Sequence, residues 1–467
     1  MQIQILSGIY SDNGPDFRTS YPVNLVPVPK KSGISNGFLR PGDGIVQNGT
    51  GPGPDRGGIN WNGVCYRVMG SKLVTVSAVG AVTVLGDVGG PVDSPVTMDY
   101  SFDRLAIASG GRLYYWNGSL TQVTDPDLGT VLDVAWVDGY FMTTDGTSLI
   151  VTELSDPTQV NPLKYGSSEV EPDPIVAILK LRNEIYAMNR NTIEVFDNVG
   201  GDFFPFQRID GAQIQKGVIG TFACCIYIEA VAFLGSGRNE APGVYLGANA
   251  TANKISTREI DELLQTYTEA QLSMVKLEAR NDRAHQHLYI HLPDRTIVYD
   301  AAASAELGDQ VWFTLTTSIV GFSQYRARNF VWAYDQWLVG DPQSSNIGCL
   351  VADIGTHWGQ TVRWEFGTII AYNEGRGAIF NNIELVALTG RVALGVDPII
   401  TTSYSVDGMT WGQDQPLRAG GAGNNAKRLV WFQQGHMRNW RIQRFRGDSQ
   451  AHLSFARLEA QIEPLAY

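Results

Sequence analysis

Cysteine is scarce in this chain: four among 467 residues, Cys65, Cys224, Cys225 and Cys349, with no CxxC spacing. That scarcity excludes a disulfide-stapled framework and a cysteine-ligated zinc module. Charged residues are few as well, at 18%, and cations are the minority, 35 Lys and Arg against 47 Asp and Glu for a net charge of −12. An overall electrostatic binder of nucleic acid or anionic membranes is therefore excluded, and any basic patch must be local. The opening Met1-Gln-Ile-Gln-Ile5 has neither the charged n-region nor the apolar h-region of a signal peptide, so synthesis in a cytoplasm with reduced thiols is expected. The sequons at Asn48, Asn117 and Asn249 then carry no weight, because glycosylation needs a secretory route. One long apolar run, Gly217 to Gly235, tests the case for a membrane span, and it contains Glu229. A carboxylate within a span costs roughly 2.5 kcal/mol or more. Two buried strands with Glu229 at the turn between them are expected instead, with no membrane insertion.

What the chain does have is turn formers and strand formers: 51 Gly, 21 Pro, 11 Trp and 19 Tyr. From about Val64, short β-runs alternate with turn signals, as in Arg112-Leu-Tyr-Tyr-Trp116 before Asn117-Gly118 and Ala135-Trp136-Val137 before Asp138-Gly139. Runs start near Val64, Val96, Val134, Val176, Thr221, Val275 and Ile319, a loose period of about 40 residues that suits one four-stranded blade per unit. The expected fold class is all-β: a β-propeller of six or seven blades, with a pair of ordinary β-sandwiches as the alternative. Residues 1–60 read as an N-terminal arm and lead-in joined to the propeller, ending in the loop Gly51-Pro-Gly-Pro-Asp-Arg-Gly-Gly58. The propeller is expected over 61–357. A short helical insertion near 256–274 is marked by capping-box spacings at Ser256/Glu259 and Thr268/Gln271. After residue 357 the period is lost and longer alternating strands begin, which predicts a C-terminal antiparallel β-sandwich over 358–467.

Nucleophilic motifs are missing: there is no GxSxG elbow, no SxxK and no cysteine beside a local His in a known pattern. The stretches Gly235-Ser-Gly237 and Gly420-Gly-Ala-Gly423 lie outside any βαβ context and read as loops. In His285-Gln-His287-Leu-Tyr-Ile-His291 an extended strand puts three imidazoles on one face, opposite Leu288, Ile290 and Leu292. The expectation is a wetter strand face, with no metal site. Ser405-Val-Asp407-Gly408-Met-Thr-Trp411 resembles the Asp-box turn of sialidase propellers, but it lacks a residue between Asp and Gly and occurs once, so an Asp-Gly hairpin explains it. Glu169-Val-Glu171-Pro-Asp173 reads as a solvated loop. No catalytic, cofactor-binding or metal-ligating residue is expected, and the chain is not expected to be an enzyme.

Charge is distributed unevenly. Residues 416–457 hold eight cations against the single Asp448, so this stretch is +7 and the remainder −19. Arginine on strands beside Trp440 and Phe445 suits forked contacts to carboxylates or phosphates. Arg438, Trp440, Arg441, Arg444 and Arg446 are therefore the candidate interface, for an acidic neighbouring subunit or for nucleic acid.

Several segments together resemble a known family: Asp16-Phe-Arg18 with Pro22-Val-Asn24, Gly37-Phe-Leu-Arg40, Gln215-Lys-Gly-Val-Ile-Gly-Thr221, Asp261 to Ala270, and Leu288 to Asp300 followed by Ala-Ala-Ala-Ser304. Their order and spacing are similar to the packaged-DNA stabilisation proteins, or tail-hub accessory factors, of short-tailed bacteriophages. The resemblance runs to about residue 320, and the C-terminal domain shares only general β character. It implies a virion structural protein of the tail, a hexamer below the portal-adaptor ring that helps retain packaged double-stranded DNA. Its implied partners are the portal-adaptor protein ring, a tail needle or plug, tailspikes or fibres, and further copies of itself, with packaged DNA nearby and no cofactor. The alternative class is a carbohydrate-binding or glycan-cleaving propeller of the tail.

Overall fold

The computed structural model describes residues 2–6, 8–11, 18–30, 35–201 and 203–465. Asp16 and Phe17 of the family-like arm lie outside them. Tight hairpin tips organise the first domain. Asn62-Gly63, Asp138-Gly139, Ile228-Glu229, Arg283-Ala284 and Tyr334-Asp335 all have two successive residues at positive φ, between 46° and 93°. That is the turn whose twist matches the right-handed twist of the flanking strands. Glu229 sits at such a tip between Cys224–Tyr227 and Ala230–Ser236, as its charge in an apolar run predicts. No helix among the described residues is long and apolar enough to cross a membrane.

Among the described residues there are seven blades, each an antiparallel sheet with an innermost strand: Asp55–Trp61, Thr97–Tyr100, Asp133–Val137, Ile175–Leu181, Cys224–Tyr227, Lys276–Asp282 and Arg328–Ala333. Each inner strand packs on that of the next blade, and the seventh packs on the first, so the ring closes. Five of the seven period marks fall within three residues of the start of an inner strand. Val64 and Ile319 fall nine residues away, because they flank the place where the ring is joined. There the outermost strand of blade seven is Gly44–Thr50, paired along Asn346–Val351. Apolar clusters fill the spaces between blades, Trp61 with Leu105 and Ile107, Leu113 with Phe141, Ile178 with Met142. Both faces of a blade are thereby buried.

Inner-strand carboxylates tie blade to blade. Asp99 accepts the Trp136 N–H (2.6 Å), Asp133 accepts the Ile178 N–H (2.9 Å), and Glu278 accepts the Asn329 N–H (2.9 Å). Burial pushes the Asp133 carboxyl up to about 7. Helices Arg258–Leu264 and Glu269–Leu272 lie between blades five and six and bury Ile260, Leu264 and Leu272 over them. Thr268 and Gln271 form the expected capping box. Ser256 does not cap: Thr257 occupies that position, and the Ser256 hydroxyl instead donates to Asp261 (2.6 Å) and accepts the Val244 N–H. A third helix, Ala301–Leu307, follows the Asp300 cap.

The second domain is a sandwich of a seven-stranded and a five-stranded sheet. Residues 1–60, expected as an arm joined to the propeller, are divided between the domains. Gln2–Ile3, Leu25–Pro29 and Gly37–Pro41 belong to the seven-stranded sandwich sheet, where Ile3, Leu25 and Leu39 pack with Phe366, Phe445 and Phe455. The chain thus begins in the sandwich, closes the propeller with Gly44–Thr50, runs through the blades and returns. At the junction the Val23 N–H bonds Glu365 O (2.8 Å) and the Asn24 N–H bonds Thr314 O (2.8 Å). Buried Asn24, at φ 53°, donates its side-chain amide to Thr316 O and Arg363 O and accepts the Thr316 N–H.

Candidate docking surface

Strand Trp440–Asp448 is central in the five-stranded sheet, between Arg363–Gly367 and Ile399–Ser405. Alternation along a strand sends successive side chains to opposite faces. Phe445 faces the core, against Phe366 at 5.2 Å and Trp431 at 5.6 Å between ring centroids. Gln443 and Arg441 share its parity and are buried too, which corrects the reading of Arg441 as an interface residue. Its guanidinium lies 4.4 Å from the Phe380 ring and 3.9 Å from the Tyr404 ring, and donates to Gln434 O and to Gln443 Oε1. Burial without a carboxylate partner lowers its pKa to about 10. The signal was available in the sequence, since 441, 443 and 445 must point one way.

Arg444 and Arg446 take the other parity and face outward. Arg444 stacks on Trp411 at 3.9 Å and donates to Ser403, while Arg446 pairs with Asp414 at 2.5 Å. Opposite them, Arg363 stands 4.6 Å over the Phe322 ring, and Arg295 of blade six covers the same ring at 3.9 Å. Partial burial lowers the Arg363 and Arg444 pKa values, and the cationic neighbours Arg446 and Arg295 lower that of Arg363 further. The domain junction therefore presents four guanidiniums, from propeller and sandwich, interleaved with Phe322 and Trp411. Glu365, Asp294 and Asp414 lie beside them. Arg438 is exposed with no ion pair among the described residues, and Trp440 is half-buried opposite Tyr372.

Much of the +7 stretch is balanced from elsewhere in the domain: Arg418 by Asp397, Arg428 by Glu384, Arg446 by Asp414 and Arg457 by Glu459. Over residues 358–467 there are eleven cations and nine acids, so this stretch carries +2 against −14 for residues 1–357. Sequence order concentrates the cations; sheet pairing brings acids to them. Arg295, Arg363 and Phe322 were missed because they lie far from 438–446 in the chain, and only the domain contact assembles them.

The other motifs resolve into scaffold. Asp407 accepts the Met409 and Thr410 N–H groups in a hairpin turn, and Trp411 serves Arg444. Gly235, expected in a loop, is inside a strand, where an added Cβ would stand 1.8 Å from Gly217 O. Glu171 pairs with Arg238 and Asp173 accepts the Asn191 N–H. His285, His287 and His291 do share one face, but it is buried, because a neighbouring blade covers it. His285 and His287 meet Asp300, whereas His291 meets Glu278 at 3.2 Å and Thr296 at 3.0 Å.

These features define a class, a two-domain all-β protein in which a closed propeller is inserted between the N-terminal and C-terminal strands of a sandwich and an arginine-aromatic surface spans their junction. The chain belongs to the bacteriophage P22 Gp10 family: residues 1–355 match "Bacteriophage P22 Gp10, beta-propeller" and residues 363–463 match "Bacteriophage P22 Gp10, beta-sandwich". It is 28% identical over 460 residues to the tail hub protein gp10 of Salmonella phage P22, covering 94% of each chain. Solved structures with some likeness include the computationally designed Ika8 protein (9% identity, 71% of this chain and 95% of that one, TM-score 0.40). The N-terminal domain of Nup159 is another (8% identity, 72% of this chain and 99% of that one, TM-score 0.42).

Proposed function

We propose that this chain is a structural component of a short-tailed phage tail, a hub that forms a six-membered ring below the portal-adaptor ring. There it helps retain packaged DNA and docks the tail needle and the spikes or fibres. Its role is assembly and not catalysis. The observation that carries this reading is the match of both domains, in the same order, to the P22 Gp10 family, together with identity to a tail hub protein along nearly the whole chain. A ring requires a heterologous, head-to-tail interface, with different surfaces of each copy in contact. The junction surface of Arg444, Arg446, Arg363 and Phe322 suits one side of it, because guanidiniums stacked on aromatic rings stay ordered while offering free N–H donors to carboxylates. The acidic balance of the remaining chain suits the other side.

Cryo-electron microscopy of the intact particle tests the reading. The expected result is density for this chain in a six-fold ring next to the portal adaptor. Density at a fibre tip, or none in the tail, would overturn it.

A further inference from the structure

Blade six holds a polar cluster that the hub role does not use. His285 and His287 lie on strand His285–His291, and Asp300 is the last residue of the neighbouring strand Thr296–Asp300, directly opposite His287 in the register. One ligand atom from each, an imidazole nitrogen from both histidines and a carboxylate oxygen from Asp300, lie within 4.8 Å of one another. All three residues are buried, Asp300 fully and His287 to within 2%. His285 Nδ1 is 2.5 Å from Asp300 Oδ2, and His287 Nε2 is 3.5 Å from that same oxygen.

The second distance carries the argument. His287 Nε2 is enclosed and has no hydrogen-bond partner. A buried polar nitrogen without a well-formed hydrogen bond is destabilising, and the group Nε2 faces is the Asp300 carboxylate, 3.5 Å away. The surroundings are built to hold the three groups in place. Asp300 Oδ1 accepts the Gln286 and Ala303 N–H groups, which orients the carboxylate and leaves Oδ2 facing the histidines. His287 Nδ1 faces the Tyr289 hydroxyl at 3.4 Å, itself held by Arg280 at 3.1 Å. The Arg280-held Tyr289 hydroxyl can accept a ring proton at Nδ1, which would leave the Nε2 lone pair free to ligate an ion lying between it and Oδ2. Metal-ligating histidines are ordinarily fixed through the other ring nitrogen in this way.

We infer that His285, His287 and Asp300 form a site for a divalent transition-metal ion of the Zn2+ type, bound by two imidazoles and one carboxylate with one position left for water. Bonds of about 2.0–2.1 Å in tetrahedral geometry place donors roughly 3.3 Å apart. The His287–Asp300 distance already meets that, and the His285–Asp300 distance must open by less than 1 Å. Nitrogen and oxygen donors of this kind suit Zn2+ and Co2+ more than Mg2+ or Ca2+. Bound metal would clamp the second and third strands of blade six at the foot of helix Ala301–Leu307. That helix packs on Leu25–Pro29, so the clamp would brace the domain junction.

The test uses the full chain, stripped with a chelator, dialysed and then loaded with Zn2+ alone. The expected result is one Zn2+ per chain retained through gel filtration, measured by elemental analysis, with a higher melting temperature than the stripped protein. Co2+ in its place should give the visible absorption of a four-coordinate site. His287→Gln should lose at least ten-fold in Zn2+ affinity while its metal-free melting temperature stays near that of the stripped wild type. His436→Gln, at an exposed sandwich position, should change nothing. If His287→Gln does not fold, His285→Gln reads the same loss from the edge of the cluster. Wild type that retains no more Zn2+ than these variants, or a loss that follows His436→Gln instead, would overturn the inference, and neither result bears on the hub role.

Discussion

At the scale of single residues, burial decides what the charges and imidazoles do. Arg441 is the clearest case: two rings and three acceptor contacts enclose it, so Arg441→Ala removes packing and leaves Gln434 O and Gln443 Oε1 unmatched. The expected loss is about 3 kcal/mol of stability, read as a lower urea midpoint. His357 gives a pH dependence with a definite sign. Burial lowers its pKa from an ordinary 6.5 to about 3. Between those values the unfolded chain binds a proton that the folded chain refuses, so stability is full above pH 6.5 and is lost as pH falls toward 3. The His357 ring meets Thr317 Oγ1 at 3.1 Å and the Tyr325 ring at 5.3 Å, contacts that do not titrate over this range. Expressed as the difference in urea midpoint between pH 7 and pH 5, the acid loss should be smaller in His357→Gln than in wild type. An equal loss in both proteins would show that His357 is not a source of it. Asp133 acts in the opposite sense, since a carboxyl raised to about 7 favours the folded state as pH falls, and the comparison between variants cancels it.

At the scale of elements, the strand Gly44–Thr50 does more than its seven residues suggest. It is the outer strand of blade seven, and without it the backbone of Asn346–Val351 becomes an open edge. Open edges pair with other chains. A chain that begins at Gly51 should therefore be recovered largely as aggregate, with any soluble fraction melting well below the full chain. Equal solubility and an unchanged melting temperature would mean that closure is supplied elsewhere. Residues 256–274 bury three apolar side chains over existing blades, so they lengthen one interval without altering the ring. The period of about 40 residues thus survived an insertion but failed at both ends of the domain, where one blade is built from two distant pieces of chain.

At the scale of the whole molecule, the propeller is bracketed by the sandwich. The N-terminal strands lie in the sandwich sheet, and Val23 and Asn24 stitch Trp312–Leu315 of blade six to Arg363–Gly367. Neither domain can unfold without stripping strands or hydrogen bonds from the other. Calorimetry should accordingly show a single transition, and Asn24→Ala, which removes three side-chain hydrogen bonds, two of them buried, should lower its midpoint and split it in two. Two resolved transitions in wild type would contradict this coupling. The junction also carries the proposed docking surface. Arg444→Ser with Arg446→Ser removes exposed or half-exposed groups, and an exposed pair such as Arg446–Asp414 contributes at most about 1 kcal/mol. Melting should thus be nearly unchanged, while the number of copies incorporated per particle, read from gels of purified virions, should fall several-fold. Normal incorporation would remove this surface from the assembly interface. Arg441 has no place in that variant, because its loss would confuse folding with docking.

The sequence alone determined the all-β class, the repeating hairpins and the change to longer alternating strands, because these depend on local turn chemistry and on a period of two that any stretch of chain carries within itself. It also determined which segments resemble the phage family, and Glu229 as a hairpin tip. Only the tertiary structure decided that there are seven blades, since the seventh is closed by residues from the other end of the domain. It alone assigned Leu25–Pro29 and Gly37–Pro41 to the sandwich, set Arg363, Arg295 and Phe322 beside Arg444 and Arg446, and joined Asp300 to His285 and His287. The physical reason is common to all of these. Pairing between strands far apart in sequence is fixed by which buried faces fit and which acids reach which cations, and those choices leave no periodic trace in the chain. Arg441 lies between the two cases: strand parity already turned it inward, and only the rings of Phe380 and Tyr404 made that position tenable for a cation.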